Sequence, residues 1–116
     1  MINGDYISFG TDIIFESFHH EHLKIAVEIC EDLWAPLPPS TKHCLNGATL
    51  ILNPSASNDL TSKSDYRRLL VSSHSARLIC GYAYCNAGLG ESTTDVVFSN
   101  HHIIAENGTL LEESVQ

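Results

Sequence analysis

Basic residues are scarce in this sequence: six Lys and Arg stand against 14 Asp and Glu, for a formal charge of −8. Clustered cations are what grip a phosphate backbone or an anionic membrane, so this balance argues against nucleic acid and against membrane as partners. No apolar run approaches the ~20 residues that span a bilayer. The opening M-I-N-G-D-Y-I-S-F-G lacks the charged and then apolar regions of a secretion signal, so a cytoplasmic location is expected. The four cysteines, Cys30, Cys44, Cys80 and Cys85, show no C-x-x-C spacing and read as free thiols of a reducing compartment. The histidines, including His19, His20 and His22, fit neither H-E-x-x-H nor a Cys/His finger, so no metal is expected. Gly88-Leu89-Gly90 is too short for a phosphate-binding fingerprint, and Ser92 does not lie in G-x-S-x-G.

What remains is the composition of a packed α/β chain. Hydrophobic residues make up 43% and charged residues 17% of 116, which fits one small domain or a piece of a larger one. Residues 12–18 and 23–29 are β-rich and partly alternating, with the polar H-H-E-H between them, and read as a hairpin. Cys30 falls where its second strand ends. Ser40 is a candidate cap for a short helix reaching Asn46, with Gly47 as its stop. The T-L-I-L-N-P run at 49–54 has buried-strand character, and 55–64 is a Ser/Asn/Thr-rich loop. From 65 to 80 the spacing is helical, with Tyr66, Leu69, Leu70, Ser73, Ala76 and Cys80 on one face. Y-A-Y-C at 82–85 reads as a strand and 87–90 as a loop. The segments 95–98, 102–105 and 109–112 read as a meander turning at Ser99-Asn100 and Asn107-Gly108. A hairpin start and a meander end suggest a sheet that lacks neighbouring strands.

A cysteine at the end of a buried strand, just before a turn, has the mechanics of a nucleophile elbow: the turn lifts the side chain out of the sheet. Its neighbours Glu28, Glu31 and Asp32 are all acidic, and negative charge disfavours a thiolate. A reactive Cys30 therefore needs a positive group from elsewhere. On spacing alone, a small buried hydrophobe is the commoner role for such a cysteine.

V-E-I-C-E-D-L-W at 27–34, followed by P-L-P-P-S, resembles the nucleophile segment of the glutaminase domain of the glutamine-dependent NAD synthetase family, within the nitrilase (carbon–nitrogen hydrolase) superfamily. F-G-T-D-I-I-F-E at 9–16, G-A-T-L-I-L-N-P-S-A-S at 47–57, D-Y-R-R-L-L-V-S-S-H-S-A-R at 65–77, G-Y-A-Y-C-N-A-G-L-G-E-S-T-T-D at 81–95 and I-I-A-E-N-G at 103–108 follow in the family's order. The resemblance implies that residues 1–116 are part of a four-layer α-β-β-α nitrilase-type sandwich, with the N-terminal portion of the domain missing and no synthetase domain present.

It also implies a Glu–Lys–Cys triad in which Cys30 attacks the glutamine amide to form a thioester. The Glu and Lys lie well upstream in the family; Lys24 and Glu16 match other positions, so the chain alone is expected to be inactive. Glu31 resembles the residue that binds the substrate α-amino group, with its backbone N–H near the oxyanion. Ser57 resembles a substrate-contacting serine, and Trp34 an aromatic that lines the glutamine pocket. Without the resemblance these would read as a solvated turn acid, a loop serine and a core tryptophan. Arg67 and Arg68 are placed on a helix and expected to make structural ion pairs. The partners implied are glutamine, the synthetase domain and further copies of the full-length protein. ATP and Mg belong to the synthetase domain, and no cofactor is implied for this chain. Two alternatives stand beside this: another carbon–nitrogen hydrolase, or a non-catalytic gene fragment.

Overall fold

The computed structural model describes residues 1–60, 62–88, 90–91 and 93–114. Leu89 and Ser92, on which two of the motif readings fell, lie outside the described residues. Six strands form one sheet in sequence order: β1 (Phe15–Glu16), β2 (Lys24–Val27), β3 (Leu50–Ser55), β4 (Gly81–Asn86), β5 (Ile103–Glu106) and β6 (Thr109–Glu113). The central pairs β2–β3 and β3–β4 are parallel, and the flanking pairs are antiparallel. Parallel neighbours need crossovers. A 3₁₀ turn (Cys30–Trp34) with α1 (Pro39–Leu45) makes the first, and α2 (Lys63–Leu78) makes the second.

Alternation along the strands sorts the sheet into two faces. Ala26, Ile51, Tyr82, Tyr84, Ile103 and Ala105 are buried on the face where the helices pack, together with Val71 from α2. On the other face Val27 is 38% and Ile104 46% exposed. One helical layer on one sheet is part of the α/β sandwich that the resemblance implies.

Several local expectations need correction. Ser40 does not cap α1: Pro38 is the N-cap and Pro39 opens the helix, a position where a missing N–H costs nothing. Ser40 turns inward instead. Its N–H donates to Glu28 Oε2 (2.8 Å), and its hydroxyl meets His74 Nε2 at 2.7 Å. Gly47 does follow the helix end, with a left-handed φ of +102° and its N–H on the Cys44 carbonyl.

The buried face of α2 is Arg67, Val71, His74 and Ser75, whereas Tyr66, Leu69, Ser73 and Ala76 are exposed. Hydrogen bonding decided this orientation. Arg67 NH2 finds a partner in the Asn58 carbonyl and His74 in Ser40, and buried polar groups with partners supplied by other segments compete with a leucine for the inside.

Residues 95–98 form no strand. Asp95 and Val96 donate their N–H groups to Thr93 Oγ1, which curls the segment, and an isolated bridge joins Phe98 to Asn58. The β5–β6 hairpin turns where expected: Asn107 (φ +48°) and Gly108 (φ +87°) are both left-handed, as a two-residue turn of the favoured twist requires.

Candidate active site

β2 ends at Val27, and Glu28 continues its line by donating its N–H to the Leu52 carbonyl. Ile29 is still extended (φ −124°, ψ 124°), and Cys30 then switches to φ +51°. That left-handed value is uncommon for a non-glycine residue and persists only where the surroundings hold it. Four hydrogen bonds do so. Ile29 N–H donates to Asp32 Oδ2 (2.8 Å), and Asp32 N–H returns to the Ile29 carbonyl (3.0 Å). Cys30 N–H donates to Asn53 Oδ1 (2.8 Å), and Asn53 Nδ2 donates to the Cys30 carbonyl (3.3 Å). The elbow expected at Cys30 is thus present as a sharp, clamped backbone turn.

The thiol opens on a cavity of about 710 Å³ whose lining includes Cys30, Glu31, Trp34, Ser57, Asn58 and Lys63. All four residues singled out in the sequence line this one hollow. Sγ accepts a hydrogen bond from Ser55 Oγ at 3.2 Å, and Ser55 Oγ accepts from Tyr84 OH at 3.0 Å. Glu31 is exposed at the cavity mouth. Trp34 packs between Tyr66 and Tyr84 with the rings tilted by 50° and 56° and centroids 6.5 and 6.3 Å away. Ser57 is buried, and Asn86 holds both its backbone groups: Asn86 Oδ1 accepts from Ser57 N–H (2.7 Å), and Asn86 Nδ2 donates to the Ser57 carbonyl (2.8 Å). Lys63 donates to Asn58 Oδ1 at 2.8 Å, so the lining carries one anion and one cation.

Arg67 behaves differently from its expected role. It is fully buried and makes no ion pair among the described residues. Its NH2 donates to the Asn58 carbonyl (2.8 Å) and to Ser57 Oγ (3.3 Å), while Nε and NH1 have no partner among the described residues. It braces the Ser57–Asn58 loop from below. Arg68 does pair, with Asp65 and Glu113. The pairing holds the Glu113 carboxyl below its ordinary value, mainly through the Arg68 hydrogen bond.

The other cysteines lie outside the cavity lining. Cys44 and Cys80 face each other in the core. Their mutual hydrogen bond and burial push the Cys80 thiol well up, while the same bond lowers Cys44. Cys85 is exposed beside Val27 and Leu52 on the bare sheet face. His19, His20 and His22 line a separate hollow with Glu21 and Glu106. Among the described residues, no group of three or more His, Cys, Asp or Glu converges to hold a metal ion. No helix of the described residues is long and apolar enough to cross a membrane.

Asn53, Ser55 and Asn86 were not singled out in the sequence, though a signal for them exists. Each is a polar residue at an inward-facing position at the end of an otherwise apolar strand, L-I-L-N-P-S and G-Y-A-Y-C-N. Inward polar groups must find partners, and strand ends are where diverging loops leave backbone groups unpaired.

No family model matches the chain. A glutamine-dependent NAD(+) synthetase of Mycobacterium tuberculosis is 44% identical over 113 residues, which is 97% of this chain and 17% of that protein. The crystal structure of a glutamine-dependent NAD(+) synthetase from Cytophaga hutchinsonii superimposes with a TM-score of 0.71 at 33% identity, covering 88% of this chain and 15% of that one. Nit3 of Saccharomyces cerevisiae, a member of the nitrilase superfamily, shares the fold at a TM-score of 0.72 and 19% identity, over 91% of this chain and 37% of its own. The chain spans about one-sixth of the length of the synthetases it matches. It is a homologue of one segment of the glutamine-dependent NAD(+) synthetases and is built on part of the nitrilase-superfamily fold.

Proposed function

We propose that this chain carries the nucleophile and part of the glutamine pocket of a glutamine-hydrolysing NAD synthetase. The observation that carries this reading is Cys30, held at a left-handed elbow and opening on the cavity shared with Glu31, Trp34 and Ser57. The names of the relatives supply the substrate.

Cys30 Sγ, as thiolate, attacks the side-chain amide carbon of glutamine to give a tetrahedral oxyanion. Collapse expels ammonia, which takes a proton from a general acid, and leaves a γ-glutamyl thioester. Water, deprotonated by the same group acting as base, releases glutamate and restores the thiol. Glu31 receives the substrate ammonium, Trp34 covers the aliphatic chain, and Ser57 contacts the substrate. Glutamine carries both charges at its α-carbon, and the lining offers a carboxylate at Glu31 and an ammonium at Lys63. In the longer protein, the ammonia serves ATP-dependent amidation of nicotinic acid adenine dinucleotide on a Mg-bearing synthetase domain, in a cytoplasmic homo-oligomer.

The isolated chain does not turn glutamine over in this reading. Among the described residues Sγ meets a serine hydroxyl, not a base or a cation. Members of a catalytic set act as a unit, so a nucleophile alone retains little activity. Two measurements test the proposal. A glutamine analogue with a chloroketone in place of the amide should alkylate Cys30 before Cys85, and Glu31→Ala should abolish that preference. Ammonia release from glutamine by the chain should equal that of Cys30→Ala. Turnover above that blank would mean that base and cation lie within these residues, and indifference of the analogue to Glu31 would remove the glutamine assignment.

A further inference from the structure

β3 and β4 each carry an inward-facing asparagine near the end, Asn53 and Asn86, and the two amides do the same thing. Asn53 Oδ1 accepts the Cys30 N–H (2.8 Å), and its Nδ2 donates to the Cys30 carbonyl (3.3 Å). Asn86 Oδ1 accepts the Ser57 N–H (2.7 Å), and its Nδ2 donates to the Ser57 carbonyl (2.8 Å). Each spends its second amide proton on a buried hydroxyl: Asn53 on Tyr82 OH (3.0 Å), Asn86 on Ser99 Oγ (2.6 Å). Both side chains are at least 95% buried, with 1% and 5% exposure. The backbone partners fix which amide atom is oxygen, since an N–H can only meet Oδ1 and a carbonyl can only meet Nδ2.

The geometry points to Asn53 and Asn86 as a matched pair of positioning residues that set the two walls of the cavity, Asn53 fixing the nucleophile Cys30 and Asn86 fixing Ser57. The proposal rests on the reading of Cys30 as the nucleophile. Its physical basis is the end of the ladder. A parallel strand pair stops where one chain turns away, and the turning residue then has an N–H and a carbonyl with no strand to meet. A side-chain amide has the same donor and acceptor as a peptide group and can stand in for one more rung. The residue so held adopts a backbone angle that the strand itself would not allow, which is the case for Cys30 at φ +51°.

The outer anchors stop the amides from turning. Tyr82 OH donates in turn to Glu28 Oε1 (2.5 Å), and Glu28 Oε2 is held by the Ser40 N–H, so the Asn53 clamp is tied to α1. Asn86 is tied through Ser99 to the segment before β5, and its own N–H donates to His102 Nδ1 (3.2 Å). With Cys30 so placed, Sγ lies within hydrogen-bond reach of the Ser55 hydroxyl.

Amide hydrogen exchange by NMR, residue by residue on the whole chain, tests the pairing, with Val71 in the core as the reference for global opening. Asn53→Ala should speed exchange at Cys30 roughly five- to tenfold relative to Val71 and leave Ser57 unchanged, as the loss of one hydrogen bond predicts. Asn86→Ala should do the converse. Asn53→Asp and Asn86→Asp, which keep the acceptor, should restore most of the protection. A second readout is chemical. Iodoacetamide labelling, resolved by peptide mass spectrometry, should slow at Cys30 relative to Cys85 in Asn53→Ala and not in Asn86→Ala. Should either alanine variant fail to fold, Tyr82→Phe and Ser99→Ala remove only the outer anchors and should give the same local pattern more weakly. Equal acceleration at Cys30, Ser57 and Val71, or no acceleration at the clamped residue, would overturn the proposal. Neither readout uses glutamine, so a wrong substrate assignment would leave these results standing, and a failed clamp would leave the substrate assignment untouched.

Discussion

The two faces of the sheet have similar amino acids and different fates. Ile51, Tyr82, Tyr84 and Ile103 face the helices and are fully buried. Their neighbours in sequence, Leu52, Ala83, Cys85 and Ile104, point to the other side, where Val27, Leu52, Pro54, Ala83 and Cys85 help to line a shallow hollow. An apolar sheet face without a cover is unusual in a domain that stands alone. In a four-layer sandwich it is the face that meets a second sheet. The covered face carries the polar machinery as well: Glu28, Asn53, Ser55, Asn86 and the elbow are all addressed from it. The covered face therefore holds what shapes the turn at Cys30, while its counterpart offers only apolar surface.

The largest expected effect separates the faces directly. Ile51→Ala should cost about 2–4 kcal/mol in a urea denaturation experiment, because it leaves a cavity in a closed core. Ile104→Ala, one face over, should cost about 0.5 kcal/mol or less. A loss at Ile104 as large as that at Ile51 would mean that the bare face is covered in solution.

The next effect lies where the β5–β6 hairpin rests on α2. Gly108 is left-handed, and a Cβ there would meet Ala76 Cβ at 2.8 Å. Its N–H also donates to Ser75 Oγ. Gly108→Ala combines an unfavourable φ with a collision against a helix that cannot easily yield. It should cost about 2 kcal/mol in the same assay. A Gly108→Ala chain as stable as the parent would show that the hairpin does not pack on the covered face.

The strands and helices were legible in the sequence wherever hydrophobic period and turn chemistry agreed. β3, β4 and the Asn107-Gly108 hairpin are such places, and α2 was found with its boundary displaced by two residues. Failures came where polar groups decided the outcome. Of the face expected for α2, Leu70 and Cys80 do reach the core, but its centre is Arg67, Val71, His74 and Ser75, because Arg67 and His74 are buried with partners supplied by other segments. The 95–98 segment has a strand-like composition, but a local threonine captures its N–H groups. At the site, the residues carried by motif came together around one cavity. The clamps did not announce themselves, because Asn53 and Asn86 act on residues 23 and 29 positions away in sequence. Contacts of that kind leave no periodic trace.

Acid should weaken the covered face in two stages. His74 is buried, and burial holds its imidazole below the ordinary histidine value, with the Glu28 carboxylate opposing in part. Above about pH 6.5 the ring is neutral in both folded and unfolded chains. As pH falls below that, the unfolded chain takes up the proton first, so stability is lost down through the folded value. Glu113, lowered by its Arg68 hydrogen bond, acts in the same sense at lower pH. Its contribution is present above the ordinary carboxylate range and is lost as pH falls through its folded value. The urea midpoint should therefore decline first in the histidine window and again in the carboxylate window. His74→Gln should flatten the first decline and leave the second; an unchanged first decline would assign it to another group.

The smallest effect is expected at the rim of the covered face, where Arg68 holds two acids at once. Its Nε and NH2 reach both oxygens of Glu113, at 2.8–3.2 Å, and NH1 reaches Asp65 Oδ1 at 2.6 Å. The short distance to Asp65 does not make it the stronger pair. The Asp65 side chain is 78% exposed, against 22% for Glu113, so water and salt screen it more. The Glu113 contact is a two-point fork that joins α2 to β6, whereas the Asp65 contact spans three positions within one helix. Asp65 also lies in the first turn of α2, where a carboxylate favours the helix dipole. Together these predict a loss of about 0.5 kcal/mol for Asp65→Ala, shrinking further in high salt. Glu113→Gln should cost more, since it loosens the joint between helix and sheet edge and also frees His101, whose Nε2 lies 2.6 Å from Glu113 Oε1. A salt titration of both variants decides the matter. A larger and salt-insensitive loss for Asp65→Ala would place the dominant anchor of Arg68 inside the helix and leave β6 held by the sheet alone.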